Sequence, residues 1–267
     1  MTRRARSPDQ YAKGEELGKY RIVRLLGTGG FARVYHAHDT VEGRDVALKV
    51  PHEHLMKDGL KEVLREVRIM GKLEHPGILQ LRNAMFVGNR LVMAYPLGER
   101  SLALRLRHRL STRTAFDLMH QVLDAVAYAH ARRVIHCDIN PDNVILFPGP
   151  QAKLIDFGIA RIARRTQVVG SGSGTVGYVA PEQALGLPSF RSDVFSLGLL
   201  LWRMLAGELP RWPYEWPFPG HERVRRKVHP EVIAILRKAI SVDQRKRHRD
   251  ATRLKADLEA LGDDAIR

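Results

Sequence analysis

The 267-residue chain has a single cysteine, Cys137. No intrachain disulfide can form, and a reducing cytoplasm is the expected compartment. Long apolar runs are also missing. The longest, Val194 to Leu201 with Trp202 behind it, falls far short of the ~20 residues that cross a bilayer, so no membrane span is expected. The basic start, Met1-Thr2-Arg3-Arg4-Ala5-Arg6, has no apolar segment after it and does not read as a secretory signal. Acidic residues are outnumbered by basic ones, 29 to 44, which leaves a formal charge of +15. The cations are scattered, however: Arg105, Arg107 and Arg109 in one place, Arg223, Arg225 and Arg226 in another, Arg245 to Arg249 in a third. Neither an aromatic stacking platform nor a helix-turn-helix pattern accompanies them. The expectation is an Arg-rich solvated surface that attracts polyanions without selectivity, and no specific nucleic-acid partner.

What is present has two textures. Residues 1–19 are charged and turn-rich and read as a tail. Tyr20–Leu26, Val34–Ala37 and Val46–Val50 read as strands around a glycine cluster. Leu60 to Leu73 has helical spacing, with Leu60, Val63, Leu64, Val67 and Met70 on one face, and His75-Pro76-Gly77 ends it. Two short strands follow, around 79–86 and 90–93. Beyond Gly98 the pattern turns helical. Ser111 is placed to cap a helix running to about Arg132, Val194 to Ala206 is apolar nearly all round, and His229–Ile240 and Ala251–Leu261 read as terminal helices. This predicts an α+β chain: a small β-rich lobe at about 20–93, a connection at about 94–98, a larger α-helical lobe at about 99–261 with a cleft between the lobes, and a short tail at 262–267.

Three stretches carry chemistry. Leu26-Gly27-Thr28-Gly29-Gly30-Phe31-Ala32-Arg33-Val34 is a glycine-rich loop between strands, where backbone N–H groups can approach phosphates. Taken alone it is equally a tight hairpin. A dinucleotide fingerprint would need a helix directly after it, and a strand follows instead. Lys49 ends an apolar strand and would be costly to bury without an anion; Glu66, on the predicted helix, and a phosphate would both serve. His136-Cys137-Asp138-Ile139-Asn140-Pro141-Asp142-Asn143 and Asp156-Phe157-Gly158 place two carboxylates and an amide on neighbouring loops. One acid can accept a hydroxyl proton while the amide and the other acid hold a divalent metal, which is the equipment of phosphoryl transfer.

These stretches, with Ala180-Pro181-Glu182, the Ser192-Asp193-Val194-Phe195-Ser196-Leu197-Gly198 segment, and Asp243 with Arg247, stand in the order and spacing of a eukaryotic-type (Hanks-type) Ser/Thr protein kinase domain, which the chain resembles from Tyr20 to Leu261. The resemblance implies a bilobal kinase-like fold with ATP in the cleft and magnesium, or manganese in its place, as the metal. It implies that Lys49 contacts the α/β-phosphates and pairs with Glu66, that Asp138 is the catalytic base, and that Asn143 and Asp156 bind metal. The nucleotide would further meet Leu26, Gly27, Thr28, Gly29, Gly30, Phe31 and Ala32. Val34, Ala47 and Ile145 would sandwich adenine, with Met93 behind it and the Ala94 carbonyl accepting from its amine. Arg247 would pair with Glu182, and Asp193 would hold the catalytic loop. Gly174-Thr175-Val176-Gly177-Tyr178 resembles the Ser/Thr class, and Thr166, Ser171, Ser173 and Thr175 are candidate phosphorylation sites in the activation segment.

The pattern is broken at three positions. Asn140 replaces the lysine that usually touches the transferred phosphate and Asp138, which predicts slow transfer. Cys137 replaces the arginine that usually meets an activation-loop phosphate. Pro96 removes an N–H that commonly donates to adenine, a loss of at most about tenfold in affinity. The expected activity is ATP-dependent phosphorylation of protein hydroxyls. The alternatives are a nucleotide-binding pseudokinase that acts as a signalling scaffold, or a kinase-like small-molecule phosphotransferase, which the peptide-docking character of Gly174–Glu182 disfavours.

Overall fold

The computed structural model describes residues 10–157 and 176–266. They fall into two compact units. The first holds residues 10–74 and 79–98; the second holds 75–78, 99–157 and 176–266.

The first unit is built on a six-stranded antiparallel sheet: β1 (Glu16–Leu17), β2 (Tyr20–Thr28), β3 (Ala32–Asp39), β4 (Arg44–Pro51), β5 (Asn83–Val87) and β6 (Arg90–Pro96), in the order β1-β2-β3-β4-β6-β5. Period-two alternation sorts its faces. Tyr20, Ile22, Tyr35, Ala37, Val46, Leu48, Val92 and Ala94 make the buried core. Val34 pairs with Lys49, His36 with Ala47, and Lys49 with Met93, so these residues share the opposite face. Two register shifts in β2, at Ile22/Arg24 and Leu25/Gly27, curl that strand just before the glycine cluster.

In this unit three boundaries differ from the sequence expectation. Residues 10–19 are not a tail: Leu17 is buried, Glu16 and Leu17 pair with Arg21 and Tyr20, and the Tyr11 ring packs edge-on against Tyr35. Gly18, at φ +62°, makes the tight reversal that this pairing needs. The helix α1 spans Glu53–Met70 and starts well before Leu60, running through Gly59. Strand β6 continues through Ala94 to Pro96, which still faces Val46, so the connection begins later than residue 94. Pro96 ends the strand, as suits a residue without an N–H to offer the ladder.

The second unit is mostly helical: α2 (Leu102–Arg105), α3 (Thr112–Ala131), α4 (Pro181–Ala184), α5 (Phe190–Ala206), α6 (His221–Arg225), α7 (Pro230–Ala239) and α8 (Ala251–Glu259). A small sheet joins them, β7 (Arg100–Ser101), β8 (Val144–Phe147) and β9 (Gln151–Leu154). Ser111 caps α3 by accepting from the Thr114 N–H at 3.0 Å. The helix α5 is buried along nearly its whole length, as an all-round apolar sequence requires, and its Trp202 indole donates to the Pro219 carbonyl. The last residues also pack: Ala265 is buried and Ile266 bridges to Val228, so 262–266 are part of the unit and not a tail. Among the described residues no helix is long and apolar enough to cross a membrane.

Candidate active site

The loop 136–143 hangs on one carboxylate. Asp193, in the first turn of α5 and wholly buried, accepts from the N–H groups of His136 (2.7 Å) and Cys137 (2.8 Å), and from His130 Nε2 (2.9 Å). Cys137 adopts φ +66°, a conformation costly for a residue with a side chain. It is held there from both ends, since Gln183 donates to its carbonyl. His136 is oriented by two bonds: its Nδ1 accepts from the Asp138 N–H and its Nε2 faces the Ile155 carbonyl at 2.9 Å. A ring nitrogen that accepts carries no proton, so Nε2 is the donor to Ile155.

Asp138 projects from this scaffold with both carboxylate oxygens hydrogen-bonded. Asn140 Nδ2 donates to Oδ1 at 2.9 Å, and Asn143 Nδ2 donates to Oδ2 at 2.7 Å. Burial pushes the Asp138 carboxyl up from the usual carboxylate range, and Asp156 adds to that. The His136 ring and the two amide donors oppose it without overcoming it. The Asn140 side chain also uses its other end, where Oδ1 accepts from the N–H groups of Asp142 and Asn143 and caps the 3-10 turn Pro141–Asn143. One side chain therefore shapes the turn and bonds the Asp138 carboxylate.

Asp156 lies on the adjacent loop, also at positive φ (+63°). The two loops are stitched by the Ile155 N–H donating to the Asn143 carbonyl and by His136, whose ring packs on fully buried Phe157 at 4.5 Å between centroids. The Asn143 side-chain nitrogen donates to Asp138, and the side-chain oxygen Oδ1 is the atom that could ligate a metal. With the Asp156 carboxylate this makes a set of hard oxygen donors, which fits magnesium or manganese and not a soft metal. Among the described residues no group of three His, Cys, Asp or Glu could hold a metal ion.

In the first unit, Lys49 is buried on β4 with its ammonium 5.7 Å from the Phe31 ring centroid. Leu26, Gly27, Thr28, Gly29 and Gly30 form the exposed end of the β2–β3 hairpin, while Phe31 and Ala32 turn inward. Val34 and Ala47 are half-buried on the face that carries Lys49; Met93 and Ala94 are buried in β6. Ile145, in the second unit, is half-buried on β8. Glu66 falls on α1, but its side chain lies outside the described residues, as do Gly158, Thr166, Ser171, Ser173 and Thr175.

The expected tie across the second unit is present. Arg247 forms a two-pronged bond to Glu182 (2.8 and 3.0 Å) and also donates to the carbonyls of Arg191, Ser241 and Val242. Ser192 adds a bond to Glu182 at 2.6 Å. Three contributors were not visible in the sequence: His130 and Gln183, which brace the loop from α3 and α4, and His52, whose ring bonds the Gly29 carbonyl at 2.8 Å. A polar residue in an otherwise apolar helical stretch was the available signal for His130; nothing local marks His52.

Comparison with known proteins shows the family and the fold. The protein kinase domain family model matches residues 20–255. A putative CBL-interacting protein kinase 13 from Oryza sativa subsp. japonica is 34% identical over 246 residues, covering 86% of this chain and 48% of that protein. The serine/threonine-protein kinase PrkC of Bacillus subtilis is 29% identical over 267 residues, covering 92% and 41%. The chain thus spans about half or less of these relatives' length. The crystal structure of the Mycobacterium tuberculosis PknI kinase domain superposes with a TM-score of 0.73 at 23% identity, covering 95% of this chain and all of that one, a likeness of fold. With its β-rich and helical units and the braced His136–Asn143 loop, the chain belongs to the protein kinase domain family, of the Hanks-type Ser/Thr kind.

Proposed function

We propose that the chain is an ATP- and magnesium-dependent Ser/Thr protein kinase domain, cytoplasmic, that passes the γ-phosphate to a protein hydroxyl slowly. The observation that carries this reading is the Asp138 carboxylate, braced by two amides and raised in pKa by burial. Each carboxylate oxygen keeps a lone pair beyond the amide bond, so Asp138 can take the proton of an attacking hydroxyl. Its raised basicity suits proton abstraction at neutral pH. Asn143 and Asp156 would hold the metal, which neutralises phosphate charge when bound. Lys49 and the glycine-rich hairpin would bind the nucleotide phosphates. The names of the relatives support the Ser/Thr class.

The slow rate follows from Asn140. Its amide reaches the base as a lysine would, but brings no charge to a transition state whose charge sits on phosphoryl oxygens. Asn140→Lys is expected to raise kcat about tenfold or more, read with radiolabelled ATP and magnesium on the protein itself and on generic protein substrates. The same change removes the cap of the 3-10 turn, so stability should fall by roughly 1 kcal/mol. A rate that stays flat while stability drops would count against the charge argument. Wild-type transfer no greater than that of Asp138→Ala, with nucleotide still bound, would leave a nucleotide-binding scaffold.

A further inference from the structure

His52 stands at the junction between β4 and α1 and holds the glycine-rich hairpin twice. Its Nε2 donates to the Gly29 carbonyl at 2.8 Å, and its backbone N–H donates to the Phe31 carbonyl at 3.0 Å. The ring is itself positioned, lying parallel to His54 with centroids 5.6 Å apart and 10° between planes. The Gly29 N–H is also committed, to the Ala32 carbonyl at 2.9 Å.

The consequence lies in the peptide between Gly29 and Gly30. A trans peptide is planar, and its C=O and N–H point in opposite directions. Fixing the Gly29 carbonyl on His52 therefore aims the Gly30 N–H away from His52. A Gly-Gly peptide has no Cβ on either side to resist rotation of that plane, so without the bond both orientations are accessible. We propose that His52 is a positioning residue that locks the Gly29–Gly30 peptide and so presents the Gly30 N–H to a nucleotide phosphate. This rests on the reading of the hairpin as the phosphate cradle of a kinase domain. Phe31 links the lock to Lys49: its carbonyl is bonded by His52 and its ring lies beside the Lys49 ammonium.

The test uses the whole chain and two ligands, ADP and adenosine, which differ only in phosphate. His52→Ala, and His52→Phe, which keeps an aromatic ring without a donor, are expected to weaken ADP binding by about threefold to tenfold and to leave adenosine binding unchanged. His52→Gln, whose Nε2 reaches as far as the imidazole Nε2, is expected to restore ADP affinity. In the ligand-free protein, amide hydrogen exchange over residues 29–32 should quicken in the alanine and phenylalanine variants and not in the glutamine one. Unchanged ADP affinity in both donor-less variants, an equal loss for adenosine, or unchanged exchange would each overturn the proposal. Wild-type protein that bound neither ligand would overturn the phosphate-cradle reading itself, and the exchange data would still decide whether His52 locks the peptide.

Discussion

Glu182→Ala is expected to destabilise the protein by about 3–5 kcal/mol, a large part of the stability of an ordinary domain. The Arg247 guanidinium is completely buried, and Glu182 is the anion that neutralises it, through two parallel bonds. Removing the carboxylate strands a buried cation and also takes the Ser192 hydroxyl's acceptor. The three carbonyls that Arg247 bonds soften the loss without supplying charge. Urea unfolding followed by circular dichroism measures it. A shift in midpoint worth less than ~1 kcal/mol would mean that water or another acid reaches Arg247.

The pair also has a pH signature. Burial by itself would raise the Glu182 carboxyl, but the bonds from Arg247 and Ser192 outweigh it, and the net shift is below the ordinary 4.5. A depressed carboxyl contributes stability that is complete above the unfolded value and is lost as pH falls through the folded one. Wild-type protein should therefore lose this contribution only below pH 4.5. The alanine variant, which never has it, should converge on wild type in acid.

Asp138→Ala is expected to lower kcat by about 10²–10⁴. Thermal unfolding and nucleotide affinity should change little, because the loop is carried by Asp193, Gln183 and the His136 bonds, none of which needs the Asp138 carboxylate. The wild-type pH profile should show the same group. Its carboxyl is raised by burial, so the basic form is lost at a higher pH than for an ordinary aspartate, and the acid limb of kcat/KM should lie above pH 3.8. The stability term has the opposite sign to that of Glu182. A raised carboxyl favours the fold below the unfolded value, and that gain disappears as pH rises through the folded one. Ionising Asp138 therefore costs the fold some stability. An acid limb at or below pH 3.8, or an alanine variant with wild-type turnover, would remove Asp138 as the base.

The candidate site was legible because its parts are contiguous. The residues from His136 to Asn143 form one loop, and Asp156 stands at the start of the next. Short polar loops of fixed spacing leave few geometries open. Helices with a strong apolar face were legible for a similar reason, as with α3 and its Ser111 cap. The first turns of α1 were not, since residues 53–59 lack an apolar stripe and include Gly59. The edge strand β1 has only two residues, and its one buried side chain, Leu17, makes no periodicity.

Other features arise only when distant segments meet. Asp193 reaches the loop from α5, Gln183 from α4 and His130 from α3, while Arg247 closes on Glu182 across the second unit. Asn140 in the sequence reads as a departure from the family's lysine; in the fold it is also a turn cap and a donor to Asp138. His52 is one histidine among twelve until folding sets its ring against Gly29. By itself the sequence determined which acids, amides and lysine stand together as a candidate phosphoryl-transfer set, because identity and local spacing are enough to suggest a reaction class. How firmly Asp138 is braced, which glycine carbonyl is bonded and which charge is buried were decided by the tertiary structure alone, since hydrogen bonds and desolvation depend on neighbours that no local pattern records.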